Sequence, residues 1–166
     1  MSKALKDSPP LAETLVAWQK VHGRNHLPWQ NTQDPYRVWL SEIMLQQTQV
    51  STVLDYYDKF LLHFPTVADL AAAPQDKVMG LWSGLGYYSR ARNLHQCAKD
   101  VVSRFGGKFP PTAADLITLP GIGRSTAAAV ASSSMEALAM GMPVRSVIMV
   151  WKLISASMRP WLISAW

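Results

Sequence analysis

The sequence predicts an all-α protein in which short helices are joined by short loops. Apolar residues recur at helical spacing, as at Leu11, Leu15 and Trp18. Start and stop signals separate the helical segments. Asp34-Pro35 is a clear start, because Asp caps helices and Pro suits their first turn. No segment shows a competing strand pattern, and no internal repeat is present. The pattern therefore favours packed helices.

The elements follow in chain order from these signals. A loose tail precedes the first helix, and Pro28 fixes the path of the loop after it. The helix that starts at Asp34-Pro35 is expected to run to about Gln47. The full prediction is a tail at 1–10, a loop at 23–29, and helices at 11–22, 34–47, 50–64, 66–70, 75–82, 87–105, 112–118 and 125–132.

Two of these helices have distinctive ends. Thr66 and Asp69 have the spacing of a capping box. The long helix at 87–105 follows the break Gly84-Leu85-Gly86 and stops at Gly106-Gly107. Its polar side is expected to carry the basic residues Arg90, Arg92 and Lys99.

Composition sets broad limits. The 166 residues, 49% of them hydrophobic, suffice for one domain with a core and exclude a disordered chain. The net charge of +5 favours a polyanionic partner only mildly, since a moderately basic soluble protein needs none. Cys97 is the only cysteine, which excludes an internal disulfide and a cysteine-ligated zinc or iron–sulfur site within this chain. A single cysteine also fits a reducing, cytosolic setting.

Neither end of the sequence indicates a membrane or secretory segment. The first residues lack the apolar core of a signal peptide. The apolar stretch at 147–166 is interrupted by Lys152, Arg159 and Pro160, which makes it a poor membrane span.

The first informative stretch is Leu119-Pro120-Gly121-Ile122-Gly123-Arg124-Ser125-Thr126, between two predicted helices. Gly121 and Gly123 permit positive φ and close backbone approach, and the start of the second helix offers unpaired N–H groups to an anion. We interpret the stretch as a helix–hairpin–helix motif that binds a nucleic-acid backbone. An ordinary glycine-rich turn between packed helices is an equal alternative.

The second stretch is Ser41 to Val50. Neutral amide and hydroxyl groups at a predicted helix end suit contacts to base edges: Gln46, Gln47, Thr48 and Gln49. Glu42 lies one turn earlier beside Trp39 and Ile43, where an apolar setting would raise the pKa of its carboxyl and make it a general acid. The alternatives are a solvated carboxylate and an ordinary polar helix end, and for an isolated Glu the solvated carboxylate is favoured.

The third stretch is Gly84 to Arg92. Tyr87 and Tyr88 stand at a predicted helix start, and with Arg90 and Arg92 they make a plausible stacking and phosphate surface. The tyrosines could instead belong to the core or its rim.

Together with Leu27-Pro28-Trp29 and Asp34-Pro35-Tyr36, these stretches resemble adenine DNA glycosylases of the MutY type, a branch of the helix–hairpin–helix repair superfamily that includes endonuclease III. The resemblance covers roughly residues 11–131. It implies a six-helix domain at 28–131, with the hairpin at 112–131. Residues 1–27 would belong to a second, iron–sulfur-side domain that is largely missing, and 132–166 form a divergent tail.

The resemblance also implies an activity: removal of adenine mispaired with 8-oxoguanine or guanine, after the base flips out of the duplex. Glu42 would protonate adenine N7, Tyr87 would wedge into the stack, and Trp29 would line the base pocket. The Gln46–Gln49 run would contact the mispair. The phosphate would be held by Gly121, Gly123 and Ser125. Ser125 also occupies the position of the lysine used by lyase-active relatives, which implies hydrolysis without lyase chemistry.

The chain departs from this family after the hairpin. The family places a cation-stabilising Asp about twenty residues beyond the hairpin glycines, near Pro143 here. No Asp follows Asp115 in this sequence. Glu136 is the only later acid and a poor substitute. The family's four cluster-binding cysteines are also absent, so no iron–sulfur cluster is expected here.

We therefore expect a truncated member in which the tail from about Ser132 is an out-of-frame or rearranged reading, or else a natural variant with a diverged tail. The expected partner is double-stranded DNA containing a mispaired adenine, bound by a monomer in a bacterial-type cytoplasm, at the nucleoid, without a membrane. Two functions remain open: an adenine glycosylase impaired in this form, and a non-catalytic helix–hairpin–helix DNA-binding fragment.

Overall fold

The computed structural model describes residues 14, 18, 21, 26–30 and 32–133. The chain divides into two compact units, one of Met1–Asn31 with Pro143–Trp166 and one of Thr32–Met142. The described part of the second unit contains seven α-helices and no strand. They are α1 (Pro35–Met44), α2 (Val50–His63), α3 (Val67–Ala72), α4 (Gln75–Trp82), α5 (Tyr88–Phe105), α6 (Ala113–Ile117) and α7 (Arg124–Ser133). The all-α prediction is confirmed.

Few residues of the first unit are described. Thr14, Trp18 and Val21 are helical, in agreement with the predicted helix at 11–22. A 3₁₀ helix, Pro28–Gln30, follows and buries Trp29. The predicted tail beyond Ser133 lies outside the described residues.

Helix α1 begins as predicted. Asp34 caps it by accepting a hydrogen bond from the Tyr36 backbone N–H at 3.0 Å, and Pro35 occupies the first turn. The helix ends at Met44, three residues before the predicted Gln47. The difference matters, because it places the glutamine run in a turn rather than on the helix.

Helix α5 is central to the packing and contacts α1, α3 and α4. Its buried residues repeat at helical spacing, as at Leu94, Cys97 and Val101. The adjoining core includes the Phe60 and Trp82 rings, which meet edge-on with centroids 5.7 Å apart. This packing holds the start of α5 beside the end of α1.

The predicted start of α3 and the predicted end of α5 are confirmed. Thr66 and Asp69 form both hydrogen bonds of a capping box at the start of α3. Helix α5 ends at Gly106, which adopts the left-handed conformation with φ of 62°. Within the described residues, no helix has the length and apolarity needed to cross a membrane.

The predicted hairpin is present. Thr112 caps α6 through the Asp115 backbone N–H, and Leu119 and Ile122 bury their side chains beneath the turn. Gly121 has φ of 75°, as the turn requires, whereas Gly123 does not adopt positive φ. The sequence indicated that both glycines permit positive φ, and only Gly121 uses this freedom. The Gly123 carbonyl accepts the first hydrogen bond of α7 from the Ala127 N–H at 2.9 Å.

Gly121→Ala is expected to destabilise the fold by about 1–3 kcal/mol. A Cβ at this position would lie 2.9 Å from Asn93 Cβ on α5, in a backbone conformation that favours glycine. Chemical denaturation measures the effect. Gly123→Ala is the matched control, because its Cβ would meet nothing within 4 Å, and its cost should be smaller. Equal costs at the two positions would contradict this account of the turn.

The Cys97 thiol is expected to be unreactive in the folded protein. It is fully buried on α5, and burial raises its pKa to about 12, so almost no thiolate forms at neutral pH. A thiol reagent should therefore label Cys97 only when the fold opens, so the opening rate limits the labelling. A Cys97→Ser, Ser103→Cys double variant, which moves the thiol to an exposed position of α5, should label much faster. Equally fast labelling of both proteins would contradict the burial.

Candidate functional site

Three segments of the second unit carry the predicted site residues. They are the end of α1 with the turn that follows it, the loop before α5, and the hairpin between α6 and α7. Helix α1 packs against both α5 and α7, so it adjoins the other two segments.

Glu42 lies in the last turns of α1. Its neighbours Ser41 and Ile43 are buried, and the Ser41 hydroxyl donates to the Val38 carbonyl at 2.8 Å. Glu42 itself is half-buried. It is therefore held on a well-packed helix, partly open to solvent and only a few residues from the glutamine run.

The glutamine run forms the turn between α1 and α2. Gln47 is exposed and has φ of 57°, which is uncommon for a residue with a side chain. Gln49 is also exposed, while Gln46 and Thr48 are half-buried. The Thr48 hydroxyl donates to the Gln46 carbonyl at 3.3 Å. Gln47 and Gln49 thus expose their amide groups to solvent, and the Thr48 hydroxyl stabilises the turn through its hydrogen bond.

Tyr87 precedes α5 rather than beginning it. It occupies the cap position in the left-handed conformation, with φ of 47° and ψ of 58°, and 61% of its surface is exposed. The loop before it is tight. At Gly84, φ is 100°, and the Tyr56 hydroxyl, which donates to the Ser83 carbonyl at 2.6 Å, occupies the place of a side chain. The loop therefore presents an aromatic ring to solvent.

The prediction that Arg90 lies on the polar side of its helix is wrong. Arg90 is only 9% exposed and lies on the apolar stripe of α5 that continues with Leu94 and Val101. Nη1 donates to the carbonyls of Ile43 (3.0 Å), Met44 (3.0 Å) and Gln46 (2.6 Å). Nη2 donates to Thr48 Oγ1 (3.2 Å) and to the carbonyls of Leu85 (3.2 Å) and Gly86 (3.4 Å).

These bonds explain how the guanidinium can be buried. The last carbonyls of α1 have no partner within their own helix, and they carry the negative end of its dipole. Burial lowers the pKa of Arg90, but arginine starts so far above neutrality that the group stays charged. The guanidinium carbon also lies 5.3 Å from the Trp82 ring centroid and 5.4 Å from that of Tyr87. Arg92, by contrast, is exposed as predicted.

The Arg90 interaction was missed by sequence reasoning, although the sequence contains a signal for it. Arg90 is spaced four and eleven residues from Leu94 and Val101, which puts it on their face of the helix. An arginine on the apolar face of a helix indicates that its guanidinium donates hydrogen bonds to buried acceptors.

The hairpin residues lie at the start of α7. Gly121 and Gly123 are exposed, and Ser125 is half-buried in the first turn. Gly121 also borders a small cavity of about 30 Å³, lined by Trp39, Ile43, Gln46, Arg90, Asn93, Leu94, Pro120 and Gly121. All three segments therefore adjoin one another around Arg90. Trp29 belongs to the other compact unit, and the structure shows only that it is buried in its 3₁₀ helix.

The chain's residues do not fit the iron–sulfur cluster that the resemblance implies. Such a cluster needs four thiolates, and the sequence has one cysteine, Cys97, whose thiol is buried with a raised pKa. Among the described residues, no group of three or more His, Cys, Asp or Glu could hold a metal ion.

Known proteins are similar to this chain in sequence and in fold. An adenine DNA glycosylase of Buchnera aphidicola subsp. Baizongia pistaciae is 52% identical over 120 residues, which is 72% of this chain and 34% of that protein. The Homo sapiens adenine DNA glycosylase is 46% identical over 128 residues, covering 72% of this chain and 23% of that protein. The chain thus spans about a third or less of these relatives.

Solved structures agree on the fold. A thermostable thymine-DNA glycosylase superposes with a TM-score of 0.70 at 28% identity, covering 75% of this chain and 58% of that one. A non-covalent endonuclease III–DNA complex superposes with a TM-score of 0.64 at 20% identity, covering 82% of this chain and 62% of that one. At this identity, the similarity supports the fold alone. The sequence model of the HhH-GPD superfamily matches residues 40–150. The chain therefore belongs to the HhH-GPD superfamily of base excision DNA repair proteins.

Proposed function

We propose that this chain carries the base-recognition part of an adenine DNA glycosylase, which hydrolyses the N-glycosidic bond of adenine mispaired with 8-oxoguanine or guanine. The observation that carries the proposal is the arrangement around α1. A half-buried carboxyl, Glu42, is followed directly by the glutamine turn, and Arg90 joins that turn to the loop bearing Tyr87. The similarity to proteins named adenine DNA glycosylase supports the choice of base.

The roles follow from the chemistry of each group. Adenine is a poor leaving group as an anion, so a general acid must protonate it as the bond to C1′ breaks, and Glu42 is the acid on α1 nearest the turn. The exposed Tyr87 ring can stack in the space opened when the base leaves the duplex. The exposed amides of Gln47 and Gln49 can contact the mispair.

The hairpin binds the phosphate backbone of the DNA in this proposal. Gly121 and Gly123 leave the start of α7 without side-chain bulk, so its N–H groups can face a phosphate, with Ser125 beside them. Because Ser125 replaces the lysine of lyase-active relatives, the nucleophile is water. Double-stranded DNA containing a mispaired adenine is the proposed partner.

The chemistry of this chain is proposed to be slow. The C1′ centre becomes positively charged as the base departs, and a carboxylate ordinarily stabilises it. No Asp follows Asp115, and Glu136 lacks the family's neighbouring residues. Loss of such a stabiliser lowers the rate by roughly a thousandfold.

Glu42→Gln is expected to lower adenine release by about a hundredfold or more, because glutamine cannot donate the proton. The measurement is single-turnover release of adenine from a duplex with one 8-oxoguanine:adenine mispair. The unsubstituted chain should already be roughly a thousandfold slower than the human relative. Asp55→Asn, an exposed carboxylate on α2, is the matched control and should keep the rate of the unsubstituted chain. Release at the relative's full rate, or release unaffected by Glu42→Gln, would contradict the proposal.

A second candidate function is non-catalytic DNA binding, favoured by a complete hairpin in a sequence without the later Asp. Duplex affinity is then expected to fall roughly fortyfold between 50 and 200 mM salt, as for about three phosphate contacts. Gel-shift titrations at several salt concentrations measure this. Salt-dependent binding with no base release would select this function over the first, and salt-independent binding would exclude a phosphate grip by the hairpin.

A further inference from the structure

Gln47 and Tyr87 share an unusual backbone conformation. Among the described residues, they are the only ones other than glycine with positive φ, 57° at Gln47 and 47° at Tyr87. Side-chain-bearing residues seldom adopt this region, and it persists only where the surrounding structure enforces it. Both residues are exposed, so packing of their own side chains does not explain the conformation.

Arg90 binds the peptide that precedes each of them. Nη1 donates to the Gln46 carbonyl at 2.6 Å, and Nη2 donates to the Gly86 carbonyl at 3.4 Å. The Gly86 carbonyl also accepts from the Trp82 indole N–H at 3.0 Å, so Arg90 shares this carbonyl with a ring that it contacts. The angle φ relates the peptide plane before a residue to its own Cα substituents, so holding that plane constrains φ.

The following groups are held as well. The Arg90 backbone N–H donates to the Tyr87 carbonyl at 2.9 Å, and Nη2 donates to Thr48 Oγ1 at 3.2 Å. The peptides on both sides of Tyr87 are therefore held, the second by the Arg90 backbone. At Gln47 the guanidinium binds the carbonyl before it and the hydroxyl of the residue after it, so the Arg90 side chain contributes next to both unusual residues.

We propose that Arg90 is a positioning residue that locks Gln47 and Tyr87 in their left-handed conformations and so presents them to the mispair as one unit. The link to mispair recognition rests on the proposed function, whereas the locking itself does not. Arg90 is buried, so it acts through these two residues rather than by touching a phosphate. The exposed Arg92, two residues further on, is available for direct contact with a phosphate.

The locking is tested by a double-mutant cycle between Gln47→Gly and Arg90→Lys. Glycine relieves the conformation at residue 47, and its effect on the unfolded chain is the same in either background, so that effect cancels in the cycle. We compare the effect of Gln47→Gly on the urea concentration at the midpoint of unfolding in two backgrounds. With Arg90 present, the substitution should change this midpoint in the stabilising direction by more than it does in the Arg90→Lys background. Equal shifts in the two backgrounds would overturn the locking.

Hydrogen exchange gives a second measurement of the same claim. In Arg90→Lys, amide exchange at residues 46–49 and at 85–88 should accelerate together while α2 and α7 keep their protection. Acceleration in only one of the two segments, or in all helices alike, would show that Arg90 does not couple them. Lysine retains the positive charge but lacks the planar fork and its two Nη groups, so the variant removes the paired hydrogen bonds without removing the charge.

The link to recognition is tested by duplex affinities of the full chain. Arg90→Lys should lower the preference for an 8-oxoguanine:adenine duplex over a fully paired one by at least about tenfold, with an unchanged salt slope. Arg92→Ala should weaken both duplexes equally and reduce the salt slope. An unchanged preference in Arg90→Lys would overturn the link.

The failures of the two proposals are distinguishable. If the unsubstituted chain itself shows no preference for the mispaired duplex, the proposed function fails. The link to recognition fails with it, while the cycle and the exchange data still decide whether Arg90 locks the two residues.

Discussion

The buried guanidinium of Arg90 imposes the main constraint on the described domain. Removing a cation from water costs several kcal/mol unless its donors are satisfied. Both Nη groups of Arg90 donate to neutral oxygens, six in all, supplied by the end of α1, the turn after it and the loop before α5. The buried Nε has no hydrogen-bond partner among the described residues. These three segments must hold their shape for Arg90 to remain buried, and Arg90 in turn satisfies the last carbonyls of α1. Each side of the arrangement therefore depends on the other.

This mutual dependence gives the exposed residues their rigidity. Turns on a protein surface are ordinarily its most mobile segments. Here the turn with Gln47 and the loop with Tyr87 are both anchored to a buried cation that the Trp82 ring also contacts. An exposed side chain on an anchored backbone loses less conformational freedom on binding, which favours specificity. The unusual φ values are the visible sign of that anchoring.

Sequence reasoning predicted most of the fold because its signals were local. Asp34-Pro35, the Thr66 capping box and Gly106 each act within a few residues, and each is confirmed. The end of α1 was misplaced because an interaction with Arg90, more than forty residues away, ends it. Burial of that arginine depends on acceptors that no local pattern contains.

The same distinction applies to the site. Residue types at Glu42 and at the glutamine run indicated suitable chemistry, but no local pattern predicts positive φ at Gln47 or Tyr87. A glycine marks a position where positive φ is permitted, as Gly121 shows, since glycine is the residue that tolerates it. At a glutamine or tyrosine it follows only from tertiary contacts, and these became visible with the structure.

In the proposed function, recognition and bond cleavage depend on different parts of the sequence. The hydrogen bonds that join the glutamine turn to the tyrosine loop all run between residues 43 and 90, and the hairpin packs on α5 through Gly121 and Asn93. The group that stabilises a cationic C1′ would instead have to come from beyond the hairpin, where the sequence offers one acid, Glu136. Because a transition state needs both substrate placement and charge stabilisation, a chain can keep the first while losing most of the rate. In the proposed function, the arrangement around Arg90 therefore serves substrate placement, independently of whether any segment completes the chemistry.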